Sequence, residues 1–247
     1  MLRSIKQLYG HKLGASDGEI GHVKDFYFDD QNWGIRYLVA DTGTWLPGRQ
    51  VLLSPYSLGR LDPADKILNV KLTRKQIEAS PAIELHQPVS RQYEQAYHRY
   101  YGWPYYWEGD GLWGGMRGFP ILEVPPPIPV GAGGAPTGPN PESDEAHLRS
   151  TQAVNGYRLQ AGEEMCGHIC DFMMDAQSWV IGQLVIKTGH RLSGHEVLVP
   201  TKAVTRISYE ESMVIVNLTS EAIVQSPAAH PKPGAPPVRG ARPGIAL

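Results

Sequence analysis

The sequence predicts a mainly β protein built from two small antiparallel β-barrels that are related by internal duplication. Residues 2–81 align without a gap with residues 148–227 at an offset of 146, and 29 of the 80 paired positions are identical. Both stretches contain short runs of branched and aromatic residues, separated by turn-forming residues at about ten-residue spacing. Because a single inserted residue would turn a strand over, an ungapped match predicts the same strands and turns in both copies.

The strands of the first copy are predicted from HKLGAS, which starts at residue 11, to the run Ile67–Leu72. EIGHVKDFYF is the second strand, and DDQN provides turn chemistry before WGIRYLVAD. The alternation of Ile35, Arg36 and Tyr37 predicts a hairpin with a polar face at Arg36. VLLS and Leu58–Leu61 are further strands, and the second copy repeats the plan with VLVP, AVTRIS and SMVIVNL.

Each copy is predicted to close with a short helix. Thr73 and Thr219 are the N-cap residues, and the helices stop before Pro81 and Pro227. Five or six short strands in each copy predict a small antiparallel barrel or a strongly curved sheet. Side chains fill the interior of so small a barrel and leave little room for a buried substrate. Any binding or activity is therefore expected on the outside or between the copies.

Three pairs of polar residues match between the copies: His22 with His168, Asp25 with Asp171, and Asp29 with Asp175. One interpretation is acid and base chemistry or a metal site. The other is structural: the later aspartates cap hairpin turns, the earlier ones accept backbone hydrogen bonds, and the histidines lie on a solvated strand face. We expect the structural roles, because isolated polar residues at strand ends commonly serve turns.

Cys166, His168 and Cys170 are a cluster of metal-ligand types, but their spacing argues against a shared zinc ion. On a regular strand the two cysteines stand roughly 13 Å apart, four steps of about 3.3 Å, which is beyond disulfide reach. His190 and His195 lie in a turn-rich loop and are expected at the surface. The sequence therefore predicts no metal site, no bound cofactor and no catalytic residue.

The connection between the copies is rich in aromatic residues from Tyr93 to Trp113. Ser90 is a candidate N-cap for a helix with four tyrosines on one face, until Gly102 and Pro104 end it. This stripe either packs on a barrel as extra core, or forms an exposed surface for a protein partner or a flat ligand such as a quinone. The residues of that partner-binding surface are predicted to be Tyr97, Tyr101, Trp103, Tyr106, Trp107 and Trp113.

The chain divides into four predicted parts. Residues 1–84 are the first barrel domain, and residues 85–147 are the aromatic segment followed by a Pro/Gly-rich linker with eight prolines between positions 120 and 141. Residues 148–228 are the second barrel domain, and residues 229–247 are a tail. The composition of the linker and the tail predicts that both are extended and disordered.

Composition excludes some classes of partner. A net charge of −2 favours neither nucleic acid nor an anionic membrane surface. The first residues, MLRSIKQLYGHKLG, lack the apolar core of a signal peptide, and no apolar run is long enough to span a bilayer. We therefore expect a cytoplasmic protein, with peripheral membrane association left open, and two cysteines agree with a reducing compartment.

Four segments carry a family resemblance: GEIGHVKDFYFD, GIRYLV, PGRQVLLSP and VKLTRKQIEASP. Together they resemble the PRC-barrel domain, which occurs in the H subunit of the photosynthetic reaction centre and in ribosome maturation factors. The resemblance covers both copies, about two thirds of the chain, and implies a fold more than a function. A reaction-centre H subunit carries a membrane-spanning helix that this sequence does not display, and ribosome maturation factors carry a different domain in place of a second barrel.

Two functions from different classes follow. The leading hypothesis is a non-catalytic scaffold or adaptor that binds a protein partner through tandem PRC-barrel domains, with a homo-oligomer as a further possibility. The alternative is an accessory protein of photosynthetic electron transfer, like the reaction-centre H subunit. An enzyme would need a converging polar site, which the sequence does not display. Nucleic acid is not expected as a partner, since basic residues are sparse among the aromatic ones.

Overall fold

The computed structural model describes residues 1–47, 49–59, 67–81, 89–107, 112–113, 148–189 and 194–229. Within them the chain is mainly β, with two sheets and four short helices. The first sheet contains β2 (Lys12–Ala15), β3 (Gly18–Asp29), β4 (Ile35–Asp41), β5 (Gln50–Leu53) and β6 (Ile67–Asn69). The second contains β8 (Arg158–Ala161), β9 (Glu164–Asp175), β10 (Ile181–Lys187), β11 (Glu196–Pro200), β12 (Val204–Ser208) and β13 (Met213–Val216). The remaining strands are β1 (Leu2–Ser4) and β7 (Leu148–Ser150).

The four helices are α1 (Arg74–Glu78), α2 (Arg91–Tyr101), α3 (Thr151–Val154) and α4 (Ser220–Val224). Single turns of 3₁₀ helix lie at Lys6–Leu8, Pro55–Ser57 and Thr201–Ala203. The predicted N-caps of the closing helices are confirmed. The Thr73 side chain accepts from the backbone N–H of Gln76 in a full capping box, and Thr219 accepts from Ala222. None of the described helices is long and apolar enough to cross a membrane.

The prediction of two small antiparallel barrels is wrong in two respects. In the described part of the chain the first sheet runs in the order β5-β4-β3-β2-β6 and the second in the order β11-β10-β9-β8-β13-β12, and neither path closes. The pairs β2–β6 and β8–β13 are parallel. After β5 and after β11 the chain passes through a 3₁₀ turn. In the first sheet the last strand, β6, then lies at the edge beside β2, and in the second sheet the last strand, β13, lies between β8 and the edge strand β12.

The strand registers of the two sheets correspond at an offset of 146. Lys12 pairs with His22 as Arg158 pairs with His168, and Val39 pairs with Leu52 as Val185 pairs with Leu198. Trp33 and Trp179 both adopt a left-handed backbone, with φ of 62° and 57°, at the turn between the two longest strands. Below, the first unit is the first sheet with α1, and the second unit is the second sheet with α4.

The two units exchange their first strands. β1 precedes the first unit but pairs with β9 of the second sheet, and β7 precedes the second unit but pairs with β3 of the first. At the centre, Ile35 N donates to Trp179 O at 2.8 Å and Ile181 N donates to Trp33 O at 2.9 Å. The contact is therefore reciprocal, as in a two-fold symmetric dimer.

Several predicted features lie outside the described residues. The second half of the strand predicted at Leu58–Leu61 is one, and Leu58 itself forms an isolated bridge with Val70. The Pro/Gly-rich linker at 114–147, the tail from 230 onward and His190 are the others.

Candidate functional site

The aromatic segment covers the outer side of the first sheet, and we call residues 89–107 with 112–113 the aromatic cap. Its helix is the predicted one. The Ser90 side chain accepts from Tyr93 N at 3.2 Å, and Gly102 ends α2 in the left-handed conformation with φ of 68°.

The six residues predicted to bind a partner lie in this cap, and five of them are buried: Tyr97, Tyr101, Trp103, Tyr106 and Trp113, with exposures between 0% and 6%. Trp107 is half-buried. Large rings gain most when they leave water, and here they stack on one another, with Tyr101 and Trp103 only 4.4 Å apart between ring centroids. The structure places these residues in the core of the chain, so they do not form an exposed aromatic patch.

Tyr97 joins the cap to the edge of the first sheet. Its hydroxyl donates to Leu52 O at 2.9 Å and accepts from Ser54 N at 3.1 Å. Both backbone groups lie along the free edge of β5, at Leu52 and at Ser54 just after the strand, where a further strand would otherwise pair. One phenol thus satisfies two backbone groups of an edge strand, which would be costly to bury unpaired.

Arg36 of β4 contacts the last part of the cap, at Tyr106 and Leu112. The polar face predicted at Arg36 is covered, because the side chain is only 1% exposed. Its guanidinium lies 3.9 Å from the ring centroid of Tyr106 and donates to Leu112 O at 2.6 Å. It also pairs with Asp29 at 3.2 Å. The two terminal nitrogens of the guanidinium donate and its flat face meets Tyr106, which makes the buried charge tolerable, although Nε has no hydrogen-bond partner among the described residues.

Glu94 is the centre of a buried polar cluster inside the cap. It is 2% exposed, and its Oε1 lies within hydrogen-bond distance of two hydroxyl oxygens, 2.6 Å from that of Tyr106 and 3.1 Å from that of Tyr37. Its Oε2 accepts from Arg91 at 2.9 Å. Burial raises the pKa of Glu94 to about 7, although Arg91 and the two phenols favour the ionised form.

His98 lies one helical turn after Glu94. Its Nδ1 is 2.9 Å from Pro104 O, and its Nε2 is 3.2 Å from the hydroxyl of Tyr37. Burial lowers the pKa of His98 to about 4, against the effect of the Pro104 carbonyl. The sequence did not single out Glu94 or His98, although their i, i+4 spacing beside the tyrosine stripe of α2 is a signal for a paired polar row.

The matched aspartates have structural roles, as expected. Asp29 Oδ1 accepts from Gln31 N at 2.9 Å, and Asp175 Oδ1 accepts from Gln177 N at the same distance, so both close hairpin turns. Asp25 and Asp171 accept backbone hydrogen bonds, partly from the other unit: Asp25 from Gln152 N, and Asp171 from Lys6 N. The third matched pair lies on the same two strands: His22 on β3 is exposed, and His168 on β9 is half-buried.

The two cysteines are free and half-buried. Burial, reinforced by Glu196 and Asp171, raises the pKa of the Cys170 thiol to about 11, which disfavours the nucleophilic thiolate. In the described part of the chain no three His, Cys, Asp or Glu side chains lie together in a way that could hold a metal ion. His195 is exposed.

The outer side of the second sheet differs in shape from that of the first sheet. A groove of about 550 Å³ lies there, between residues 1–7 and β9 to β11. Met173 and Val185 line it, and Leu198, which pairs with Val185, is half-buried beside it. Of the register-equivalent residues of the first sheet, Val39 and Leu52 are buried, at 1% and 2% exposure, and Leu52 O is bonded to Tyr97 of the aromatic cap, whereas Tyr27, the equivalent of Met173, is half-buried.

Comparison of the chain with models of protein families found no match, and comparison with curated proteins found none either. The resemblance to the PRC-barrel family therefore stays a prediction.

Proposed function

We propose that the chain is a non-catalytic scaffold that binds a protein partner through two similar units of the PRC-barrel type. The observation that supports it is the difference between the outer sides of the two sheets. Beside β5 the first is covered by the aromatic cap, whereas the second carries the groove, in which Met173 and Val185 lie among polar and charged side chains such as Lys6 and Glu196. A surface that combines aliphatic side chains with a polar rim favours a protein partner that brings apolar groups out of water.

The way in which the two units are joined is suited to a platform that binds a partner. Reciprocal strand exchange ties the two units together through backbone hydrogen bonds, so the surface of the second sheet is held by both halves of the chain. Glu94 and His98, two groups with strongly shifted pKa, are engaged with each other through Tyr37 inside the cap. Their burial keeps them from meeting a substrate.

The proposal is tested with a photo-crosslinking residue at position 173 of the full chain. The protein is mixed with extract of the source cells and illuminated. A discrete adduct with one protein is expected from position 173. The matched control carries the same residue in place of exposed Lys71 of the first unit. The same set of adducts from both positions, or none from position 173, would contradict the proposal.

The alternative, an accessory protein of photosynthetic electron transfer, is supported by the resemblance to the reaction-centre H subunit. It predicts that the chain copurifies with photosynthetic membranes.

A further inference from the structure

The contacts of His98 decide where its proton lies. The group of Pro104 that faces Nδ1 is a carbonyl oxygen, which accepts and does not donate. Nδ1 therefore carries a proton and donates it to Pro104. The tautomer is assigned from this contact. A neutral His98 then has a lone pair on Nε2, which faces the hydroxyl of Tyr37 at 3.2 Å.

Tyr37 has one hydroxyl proton and two acceptors. If it donates to Nε2 of His98, its oxygen faces Oε1 of Glu94 at 3.1 Å, and this contact is satisfied when Glu94 is protonated and donates. If Tyr37 donates to an ionised Glu94 instead, Nε2 of His98 must carry a proton to be satisfied. Both arrangements contain the same number of protons. With one proton fewer, two lone pairs face each other across one of the contacts.

We propose that Glu94, Tyr37 and His98 hold one proton in common, and that its release loosens the aromatic cap from the first sheet. The proposal concerns the cap and does not depend on the scaffold function. Burial decides which of the two satisfied states is occupied. It raises the pKa of Glu94 to about 7 and lowers that of His98 to about 4, so the shared proton belongs to Glu94.

The charged and titratable groups around Glu94 come from three elements. From α2 there are Arg91 and His98, from β4 there are Tyr37 and Arg36, and from the segment after α2 there is Tyr106. The two guanidinium groups favour the carboxylate, so they lower the pH at which Glu94 releases its proton towards neutral. Arg36 acts more weakly than Arg91, since it also pairs with Asp29.

Release of the proton affects the cap because the cluster joins its parts. Glu94 and His98 belong to α2, Tyr37 to β4 and Tyr106 to the segment that follows α2. A buried acceptor without a donor costs about as much as one or two hydrogen bonds contribute. Water that enters between α2 and β4 supplies the missing donor. The cap therefore opens more often above the pH at which Glu94 releases its proton.

The first test uses the full-length wild-type chain with ¹³C-labelled glutamate carboxyl groups. One glutamate is expected to titrate near neutral pH, and its signal disappears from the spectrum of Glu94→Gln. If every glutamate titrates in the usual range near about 4.3, the proposal is overturned without any variant having to fold.

The second test measures amide hydrogen exchange of residues 91–107, corrected for the intrinsic effect of pH. In the wild type, protection is expected to fall roughly tenfold from about pH 6 to about pH 8, as one buried hydrogen bond is lost. In Glu94→Gln the amide donates permanently to Tyr37, so protection stays constant over that range. Glu210→Gln, at an exposed position, is the matched control and behaves as the wild type. The same fall in Glu94→Gln as in the wild type overturns the proposal.

Discussion

Asp25 shows how much one side chain contributes to joining the two units. It is 8% exposed and accepts from Phe26 N at 2.7 Å on its own strand. It also accepts from Thr151 Oγ1 at 2.8 Å and Gln152 N at 3.1 Å, at the start of α3. The sequence predicted that this aspartate accepts backbone hydrogen bonds. It could not predict that two of these donors, Thr151 and Gln152, lie more than a hundred residues away.

Asp25→Asn is expected to lower the free energy of unfolding by about 1–3 kcal/mol, because an amide cannot accept all of these hydrogen bonds and leaves a buried donor unsatisfied. Asp41→Asn is the matched control. Its carboxylate is exposed and accepts from Gly43 N, so the cost should stay within about 0.5 kcal/mol. Urea unfolding of both variants measures the difference. Equal losses in the two variants would mean that Asp25 is not a junction between the units.

Glu94 and His98 are expected to have opposite effects on stability against pH. The folded chain binds the proton of Glu94 more tightly than the unfolded one, with a pKa of about 7 instead of 4.5, so this group makes stability fall as pH rises through that window. His98, with a pKa of about 4 instead of 6.5, makes stability rise from about pH 4 to 6.5. In the wild type the two effects cancel between 4.5 and 6.5, since folded and unfolded chains bind the same number of protons at these sites.

Single variants separate the two effects. The stability of Glu94→Gln should rise with pH from about 4 to 6.5, and that of His98→Asn should fall from about 4.5 to 7, each by about 3 kcal/mol over the full window. Urea unfolding at a series of pH values measures both. Parallel curves for the wild type and the two variants would show that neither group has its pKa shifted by folding.

At the scale of elements, β3 and β9 depend on two glycines at equivalent registers. Gly21 and Gly167 have φ of 125° and 143°, and a methyl group on them would lie 1.9 Å from Asp41 O and 2.3 Å from Lys187 O. Both contacts are to backbone of the neighbouring strand, which cannot move without breaking the pairing. Gly21→Ala and Gly167→Ala are each expected to cost about 2 kcal/mol or more.

Gly182 in β10 is the matched control for these glycines, because a methyl group there meets nothing within 4 Å. Gly182→Ala should therefore be neutral or slightly stabilising, by less than about 1 kcal/mol. Thermal unfolding of the three variants makes the comparison. A cost at Gly182 as large as at Gly21 would show that the close approach of strands is not the cause.

For the whole molecule, the limit of sequence reasoning lies where contacts span long separations. Most strands, the capping threonines and the helix from Ser90 to Gly102 follow from local signals, so they were predictable. The exchange of β1 and β7, the parallel closing pairs and the open sheets depend on which segments meet in space. The alternation around Arg36 predicted a polar face but not its burial, because alternation identifies the face of a strand and not what covers it.

The last prediction concerns what holds the units together. Strand exchange through β1 and β7, the bridge between Gly34 and Val180, and the bond from Trp113 Nε1 to Ser178 O at 3.3 Å all join the units without using residues 114–147. A chain with a protease site inserted in that stretch should therefore remain one particle after cleavage.

Size-exclusion chromatography of the cut protein measures this association, with denaturing electrophoresis to show that cleavage is complete. Asp25→Ala combined with Asp171→Ala removes the carboxylates that receive the exchanged segments, so the cut double variant is expected to separate at lower concentrations of urea than the cut parent. Because the exchange is reciprocal, each variant alone should have about half of the effect. Halves of the parent that elute apart without denaturant would show that the connecting residues, and not the exchanged strands, hold the units together.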